Sequence, residues 1–429
     1  MQGNGERPTS TVLPTVSATR VSTSYTAFHS TWRTPALIVG FGCLISLMSF
    51  GPRSALGFFL TPMSSAHHWG RGVFAFALAL QNLLWGIAQP VAGVIADKYG
   101  ATRVFCAGGL MLAVGLALMA QATSPILLDI SAGALVGFGL AGTSFMIILA
   151  AFAKLLPPQW RSLAFGFGTA AGSFGQFLYS PLSVVLMDSF GWQQTLMLFA
   201  ATTLAILPLS LVFAAPPAQG AREPVAQSLR QALAEAFAHK SYVMLVLGYF
   251  TCGFQLAFIT VHLPSYLVDR GLSASVGGWT LATIGLFNIV GAIGCGYLCD
   301  YLPRRYLLSF IYLVRAVAIF AFIALPLTPL SCIVFGATMG LMWLSTVPAT
   351  NGIIVLIFGT RWFATLGGFA FFSHQVGGFL GAWLGGVVFD RTGSYGPVWW
   401  LAILFGVLSA LINLPIVEKP LPRVAAAVV

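Results

Sequence analysis

Charged residues are scarce in this chain of 429 residues. They make up 7% of it, against 58% hydrophobic residues, and only 10 residues are acidic. An ordinary water-soluble domain carries roughly 25% charged residues, so these few cannot cover a surface in contact with water. The scarcity excludes a soluble fold and predicts an integral membrane protein that has lipid as its solvent.

Motifs for nucleotide binding and for covalent catalysis are also missing. No glycine loop is followed by a Walker lysine, and no Gly-x-Ser-x-Gly pattern occurs. We therefore expect neither an ATP-driven pump nor an enzyme, and no cofactor. The six cysteines lie in apolar stretches without metal-ligand spacing, so we predict no metal site and interpret them as packing residues. They are Cys43, Cys106, Cys252, Cys295, Cys299 and Cys332.

Apolar windows of the length that crosses a bilayer, about 20 residues, occur twelve times, six in each half of the chain. The predicted fold is an all-α integral membrane protein of about twelve transmembrane helices in two pseudo-symmetric six-helix halves. The windows lie near 36–60, 72–95, 104–121, 126–151, 162–186, 194–214, 241–266, 275–298, 306–326, 329–356, 363–388 and 396–416.

Domain boundaries follow from the polar stretches between these windows. We predict a disordered tail over 1–33, which is neither a signal peptide nor a span, and a first half over 34–214. A linker over 215–240 contains a short amphipathic helix, SLRQALAEAFAHK. The second half covers 241–417, and 418–429 forms a second tail.

Lys and Arg are distributed unevenly over the loops. With the N-terminus placed in the cytoplasm, fifteen of them lie inside and three, Arg71, Arg270 and Arg391, lie outside. Cytoplasmic loops retain positive charge, so both termini are predicted to be cytoplasmic in a multi-pass protein of the plasma (inner) membrane. The same bias explains the net charge of +10 without a nucleic-acid partner.

One loop pattern occurs twice. GVIADKYGATR begins at Gly93, and a degraded copy, GYLCDYLPRR, begins at Gly296, 296 − 93 = 203 residues later. Internal duplication is typical of membrane transporters. The glycines are expected to let two helices approach, and Asp97 to cap a neighbouring helix and pair with Arg103 or Arg161 as a latch.

This pattern resembles the loop motif of the major facilitator superfamily. Gly93, Asp97, Gly100 and Arg103 match the first copy, and Gly296, Asp300 and Arg304 match the second, in which Pro303 replaces the second glycine. The resemblance covers the whole membrane portion. It implies the fold of that superfamily and a rocker-switch mechanism of alternating access.

Arg53 is the most informative ionisable residue inside a span. It lies in SFGPRSALGFF, about 17 residues into the first window, and no acidic residue occurs in that window. Charged residues are costly inside a membrane and mark functional sites, and a guanidinium binds a carboxylate through two oxygens at once. Arg53 is therefore a candidate carboxylate receptor, with Gly51 and Pro52 opening the helix beside it. Snorkelling and pairing with an acid on another helix are the alternatives.

SFGPRSALGFF also resembles the first-span motif of the monocarboxylate transporters, and the stretch from Ser373 to Trp400 resembles their bacterial and oxalate-formate antiporter relatives. In that branch the basic residue matching Arg53 helps to bind the substrate carboxylate. The branch often carries Asp and Arg four residues apart in the eighth span, where this chain has Asn288 and Ala292. We therefore expect the second half to lack a cationic site.

Further candidates are polar or aromatic side chains at mid-depth, each of which either lines the cavity or joins helices by hydrogen bonds. His374 either carries a proton or a substrate contact or packs as a neutral residue, while Gln375 points about 100° away from it. The remaining substrate-binding candidates are Gln176, Tyr179, Tyr249, Asn288 and Trp343, with Gln255 beside them.

Four other features have a structural interpretation or leave alternatives open. Arg315 is expected to snorkel to the cytoplasmic face, and His262 to lie at the outer interface. Asp129 either partners Arg53, accepts a proton or lies at the interface. The glycines from Gly377 to Gly386 form either a sliding surface between the halves or a static packing face.

Together these features predict a monomeric secondary transporter of small organic anions, most simply monocarboxylates, coupled to protons. Three alternatives stay open: efflux of aromatic or drug-like compounds, exchange of one organic anion for another, and a transceptor that binds its ligand without turnover.

Overall fold

The computed structural model describes residues 33–214, 228–359 and 362–422, together with Met1 and Gly3. In this part of the chain, ten helical stretches are long and apolar enough to cross a membrane. One of them, Gly166–Phe213, holds two predicted spans, because Gly191 breaks the helix with φ 79° and ψ 168°. The eleventh predicted span lies in a further helix, Phe363–Thr392. The predicted all-α membrane fold is confirmed.

Six membrane helices precede the linker. They are α1 (Pro35–Ala55, continued by a 3-10 turn at Leu56–Phe59 and by Leu60–His67), α2 (Arg71–Tyr99), α3 (Ala101–Met119), α4 (Pro125–Leu128, a π-helical segment Asp129–Leu135, Val136–Gly142 and Phe145–Leu155), α5 (158–190) and α6 (192–204, continued by Ile206–Ser210 and Leu211–Phe213). Proline and glycine set several of these boundaries; the α2–α3 turn, for example, requires a positive φ of 92° at Gly100.

Six more membrane helices follow a short helix, Leu229–Ala238, whose N-terminus is capped by Ser228. This helix lies where the sequence predicts one, and residues 215–227 of the predicted linker lie outside the described part of the chain. The membrane helices are α7 (Lys240–Asp269), α8 (Ala274–Leu298), α9 (Arg304–Ala324), α10 (Pro329–Met342 and Thr346–Phe358), α11 (Phe363–Thr392) and α12 (Gly396–Asn413).

The two sets of six helices meet on one side of the molecule, which we call the gate side and define by Arg71, Asp269 and Asp390. There α2 packs along α11, and α5 packs along α8. The α2–α11 contact runs from Gly72, beside Asp390, to Gly86, where an added Cβ would lie 2.8 Å from Gln375. The halves are therefore closed together from the gate side to the middle of the bundle.

The opposite side, which we call the motif side, contains the turns at Gly100 and Pro303. Here a Cβ added at Gly93 or at Gly296 would meet no atom within 4 Å. The expectation that these glycines bring two helices together is wrong for this conformation. The motif-side segments of α4 and α10, Phe145–Leu155 and Thr346–Phe358, pack mainly within their own halves. In the described part of the chain the halves therefore diverge here, and we call this side the open one.

The glycine run of α11 packs against two helices, α7 and α2. A Cβ at Gly377 or Gly381 would collide with a backbone carbonyl of α7, at Phe250 and Phe254, so this face permits close packing within one half. A Cβ at Gly386 would lie 2.5 Å from the Cβ of Ala75 on α2, in the other half. One face of the run thus packs inside the second half, and the other lies where the halves meet.

Candidate functional site

Arg53 lies at mid-depth, where α1 changes from an α-helix to the 3-10 turn that begins at Leu56. Pro52 removes a backbone donor just before it. Gly51 leaves room for the ring of Tyr179, which would collide with any Cβ there. The Arg53 side chain is partly buried, and tight packing on α5 fixes the helix from which it projects.

The described partners of the Arg53 guanidinium are neutral. Its Nη2 donates to Oδ1 of Asn82 on α2 at 2.8 Å, and its Nε makes no hydrogen bond to any described residue. Its Cζ lies 5.0 Å from the ring centroid of Trp85. Of the three alternatives for Asp129, the partnership with Arg53 is not formed in this structure: Asp129 lies in the π-helical segment of α4, and its Oδ1 has no described partner. Arg53 therefore keeps a positive charge that no described carboxylate neutralises.

Trp85, whose ring lies beside this charge, belongs to a group of packed aromatic rings. Trp85 makes edge contacts with Phe50, at 5.6 Å between ring centroids, and with Phe371 of the other half, at 5.4 Å. Phe50 also contacts Phe145, beside the break in α4, at 6.2 Å. The indole of Trp85 is held in place by a 3.0 Å hydrogen bond to Gln89. We call Phe50, Trp85, Phe145 and Phe371 the aromatic box.

A chain of hydrogen bonds leads from Arg53 into the second half. The backbone oxygen of Asn82 accepts from Nε2 of Gln375 at 3.2 Å, and Oε1 of Gln375 lies 3.0 Å from Nδ1 of His374. Gln375 is buried against α2, whereas the His374 ring stacks on Phe371 and lies 5.0 Å from the ring of Tyr249. The two neighbouring residues thus point toward different helices and still share a hydrogen bond.

Arg315 lies in the core of the second half, which corrects two expectations. Its side chain is 0% exposed, so it does not snorkel. Its Nε donates to the Met342 oxygen at 3.2 Å and its Nη1 to Gln255 Oε1 at 3.3 Å, while Nη2 contacts the Trp343 oxygen and lies 3.6 Å from Cys252 Sγ. The carbonyl groups are free because α10 is interrupted after Met342. The second half therefore does contain a buried cation, on α9 instead of α8.

Two predicted residues surround that cation and three lie elsewhere. The Tyr249 ring lies beside that of His374 at an interplanar angle of 48°, and the Trp343 oxygen contacts Arg315. Gln176 donates to the Leu281 oxygen, and Asn288 donates to Ser173 and accepts from the Leu344 N–H, so both join α5 to the second half. Tyr179 points into the first half and donates to Thr202.

His262 is 0% exposed, and its Nε2 lies 2.7 Å from the Ala382 oxygen. Its predicted place at the interface is therefore wrong: it is packed between α7 and α11, at the position where Gly385 leaves space for its ring.

The loop-motif residues are only partly visible. The side chains of Asp97 and Arg161 lie outside the described part of the chain, and Arg103 and Asp300 are exposed. Arg304 lies 3.8 Å from Glu418, and the backbone N–H of Arg305 also donates to Glu418. Within the described residues, the second motif is thus tied to the segment that follows α12.

Sequence reasoning missed Asn82, Trp85 and Cys252. Asn82 is the only Asn or Asp in the second window, and an amide inside a span is a signal that was available. Trp85 carries no such signal, because tryptophan is common in apolar spans. Cys252 stands out only through its contact with Arg315, which lies on another helix.

The model of the Major Facilitator Superfamily matches residues 42–382. The chain belongs to that superfamily, and it is a multi-pass transporter of the plasma membrane rather than an enzyme.

Similar proteins agree with this assignment. "Uncharacterized MFS-type transporter YcxA" of Bacillus subtilis (strain 168) is 27% identical over 393 residues, which cover 89% of this chain and 95% of that protein. Monocarboxylate transporter 11 of Homo sapiens is 26% identical over 374 residues, covering 82% and 76% of the two chains.

Two solved structures share the fold. A bacterial homolog of the human lysosomal transporter Spinster, in an inward-facing and unoccupied conformation, has a TM-score of 0.70 at 14% identity and covers 90% of this chain and 97% of that chain. A D-xylose-proton symporter has a TM-score of 0.69 at 16% identity, covering 90% and 98%.

Proposed function

We propose that this protein carries small organic monocarboxylates by alternating access, that it couples their movement to protons, and that Arg53 holds the carboxylate. The observation that carries the proposal is a guanidinium at mid-depth whose hydrogen-bond partner, Asn82, is neutral. A cation in a membrane interior is costly unless a counter-charge accompanies it, so the site favours an anionic ligand. The similarity to proteins named monocarboxylate transporters supports the same substrate class.

The aromatic box gives the rest of the substrate an apolar environment. Phe50, Phe145 and Phe371 are partly buried and form one packed group with Trp85, whose ring lies beside the charge. A carboxylate with a hydrocarbon or aryl body satisfies both parts of the site, with the charge on Arg53 and the body on the rings. Polyols and sugars satisfy neither.

Alternating access would use the open motif side of this conformation as one of its two states. If the termini are cytoplasmic, as the Lys and Arg distribution predicts, this state faces inward. The loop-motif residues would then come together when the motif side closes, and Arg71, Asp269 and Asp390 would separate when the gate side opens.

Uptake into liposomes tests this function. The purified protein is reconstituted, and uptake of labelled lactate, pyruvate, phenylpyruvate and benzoate is measured with and without an inward proton gradient, beside Arg53→Ala and Arg53→Lys. We expect saturable, gradient-stimulated uptake that Arg53→Ala abolishes and that Arg53→Lys retains in part, because lysine keeps the charge but loses the planar fork.

The matched control is Arg391→Gln, which removes an exposed arginine at the end of α11. Uptake that Arg53→Ala leaves unchanged would contradict the proposal. Competition by bulky uncharged aromatic compounds, combined with indifference to Arg53, would favour efflux of such compounds instead.

A further inference from the structure

A buried cluster in the second half is not needed to hold a carboxylate on Arg53. It consists of Cys252 and Tyr249 on α7, Arg315 and Tyr312 on α9, and His374 on α11. Cys252, Tyr312 and Arg315 are each 0–1% exposed. No described carboxylate contacts Arg315: its described hydrogen-bond partners are two backbone oxygens, the Gln255 amide and the Cys252 thiol. The cluster therefore has a fixed positive charge and no evident anion.

Among the hydrogen-bond partners of Arg315, only Cys252 can become an anion by losing a proton. Its Sγ lies 3.6 Å from Nη2 of Arg315 and 3.3 Å from the Thr346 hydroxyl, which can donate to it. A guanidinium and a hydroxyl donor are the surroundings that stabilise a thiolate. A thiolate here would also supply the counter-charge that a buried cation requires.

His374 provides a path for the proton. Its ring lies 5.0 Å from the ring of Tyr249, which precedes Cys252 by three residues on α7. Its Nε2 makes no hydrogen bond to any described residue. Through Nδ1 the same ring contacts Gln375, which bonds to Asn82, the partner of Arg53. The cluster is thus connected to the proposed carboxylate site across the boundary between the halves.

We propose that Cys252 is the group that takes up and releases the coupling proton, as a thiolate paired with Arg315 when the proton is absent. This inference rests on the proposed proton-coupled function. Protonation forms the S–H bond, and release breaks it and passes the proton to Nε2 of His374 once that ring has moved within hydrogen-bonding distance of Sγ. The ring is then an imidazolium until the proton leaves the protein. The other titratable groups facing Cys252 are the phenols of Tyr249 and Tyr312, which ionise only at high pH.

The position of Arg315 links this proton to the conformation of the transporter. Arg315 binds the carbonyl groups of Met342 and Trp343, where α10 is interrupted before its motif-side segment begins at Thr346. When Cys252 is neutral, the guanidinium depends more strongly on these carbonyl groups for stabilisation. Proton binding at Cys252 should therefore strengthen the hydrogen bonds of Arg315 to the carbonyl groups at the break in α10.

A spectroscopic experiment tests the thiolate without any substrate. Ultraviolet absorbance of thiolate is measured at neutral pH on the purified, full-length protein, Cys252→Ser and Cys332→Ser. Cys332 is a matched control, since it is also 0% exposed and in the same half. We expect the native protein to exceed Cys252→Ser by the absorbance of a single thiolate, with Cys332→Ser unchanged. Equal absorbance of the native protein and Cys252→Ser would overturn the proposal.

A transport experiment tests the role of that thiolate. In liposomes, Cys252→Ser should lose the stimulation of uptake by a proton gradient but retain exchange of labelled for unlabelled substrate at equal pH on both sides. Cys252→Asp, which restores an acid beside Arg315, should regain the stimulation with a shifted pH profile. Full gradient stimulation in Cys252→Ser would overturn the proposal even if Arg53 proves essential. A thiolate signal in a protein that moves no carboxylate would instead overturn the proposed substrate and leave the ionised cysteine established.

Discussion

Arg71 and Asp269 face each other across the two halves through two parallel hydrogen bonds, Nη1 to Oδ2 at 2.5 Å and Nη2 to Oδ1 at 2.7 Å. Beside them, Asp390 of α11 accepts the backbone N–H groups of Arg71 and Gly72 at 2.8 and 2.6 Å. A carboxylate from one half thus caps the first turn of α2 in the other half. Such a cap is favourable, because the first N–H groups of a helix lack partners within it.

These contacts predict that the gate side opens when the carboxylates are neutralised. Asp269→Asn removes an ion pair that is partly exposed to solvent, worth about 1 kcal/mol or less, and Asp390→Asn weakens a helix cap worth about 1 kcal/mol. We expect the double variant to shift the population toward the gate-open state by roughly tenfold. Spin-label distances between the start of α2 and the end of α11 measure this shift.

Arg391→Gln, which changes the neighbouring exposed position, serves as the control for that experiment. If the double variant gives the same distance distribution as the native protein, these contacts do not hold the gate side closed.

Two substitutions at glycines of α11 should have different effects, one on the stability of the fold and the other on the balance between conformations. Gly381→Val places a side chain against the Phe254 carbonyl within one half, so it should lower the unfolding temperature in every conformation, at a cost of about 1–3 kcal/mol. Gly386→Val places the same side chain against Ala75 of the other half, where the halves can separate to relieve it. It should favour the gate-open state with a smaller change in unfolding temperature. Equal effects of the two variants on both measurements would contradict this division.

Gly93 and Gly296 should matter only in the conformation that is closed on the motif side. A side chain at either position meets no atom within 4 Å in this structure, so Gly93→Leu and Gly296→Leu should fold with an unchanged unfolding temperature. If the motif-side helices approach during transport, these variants should lose most uptake and stay open on the motif side. Gly294→Leu is the control, because it meets equally open space outside the motif. Normal uptake by the Gly93 and Gly296 variants would show that the helices do not close at these positions.

The sequence was sufficient to predict the helices, and it singled out Arg53 as a charged residue inside a span. A membrane span needs a long apolar window, so a charged residue such as Arg53 is easy to recognise inside it. The sequence also shows directly that this window contains no acidic residue. Arg315 was misjudged because its distance along the chain from Arg304 indicated reach toward the surface. Its true environment depends on helix rotation and on a break in α10, which are set by packing between helices.

The expected close approach of helices at Gly93 and Gly296 is absent from this structure for a different reason. A transporter alternates between packings, and its sequence must satisfy each of them, whereas one structure shows a single state. The repeated glycines indicated a close approach, which we expect in the state that is closed on the motif side. Asn82 was missed because its partner, Arg53, lies 29 residues away on a different helix, and only the folded chain brings them together.

The central claim, that the uncompensated charge of Arg53 binds the substrate carboxylate, is tested most directly by changing its neutral partner. Asn82→Asp places a carboxylate where the guanidinium now contacts an amide oxygen at 2.8 Å, while Asn82→Ala removes that contact and leaves the charge. Carboxylate affinity, measured by competition in liposome uptake, should fall roughly 30-fold or more in Asn82→Asp and by less than about fivefold in Asn82→Ala. Native affinity in Asn82→Asp would contradict the claim.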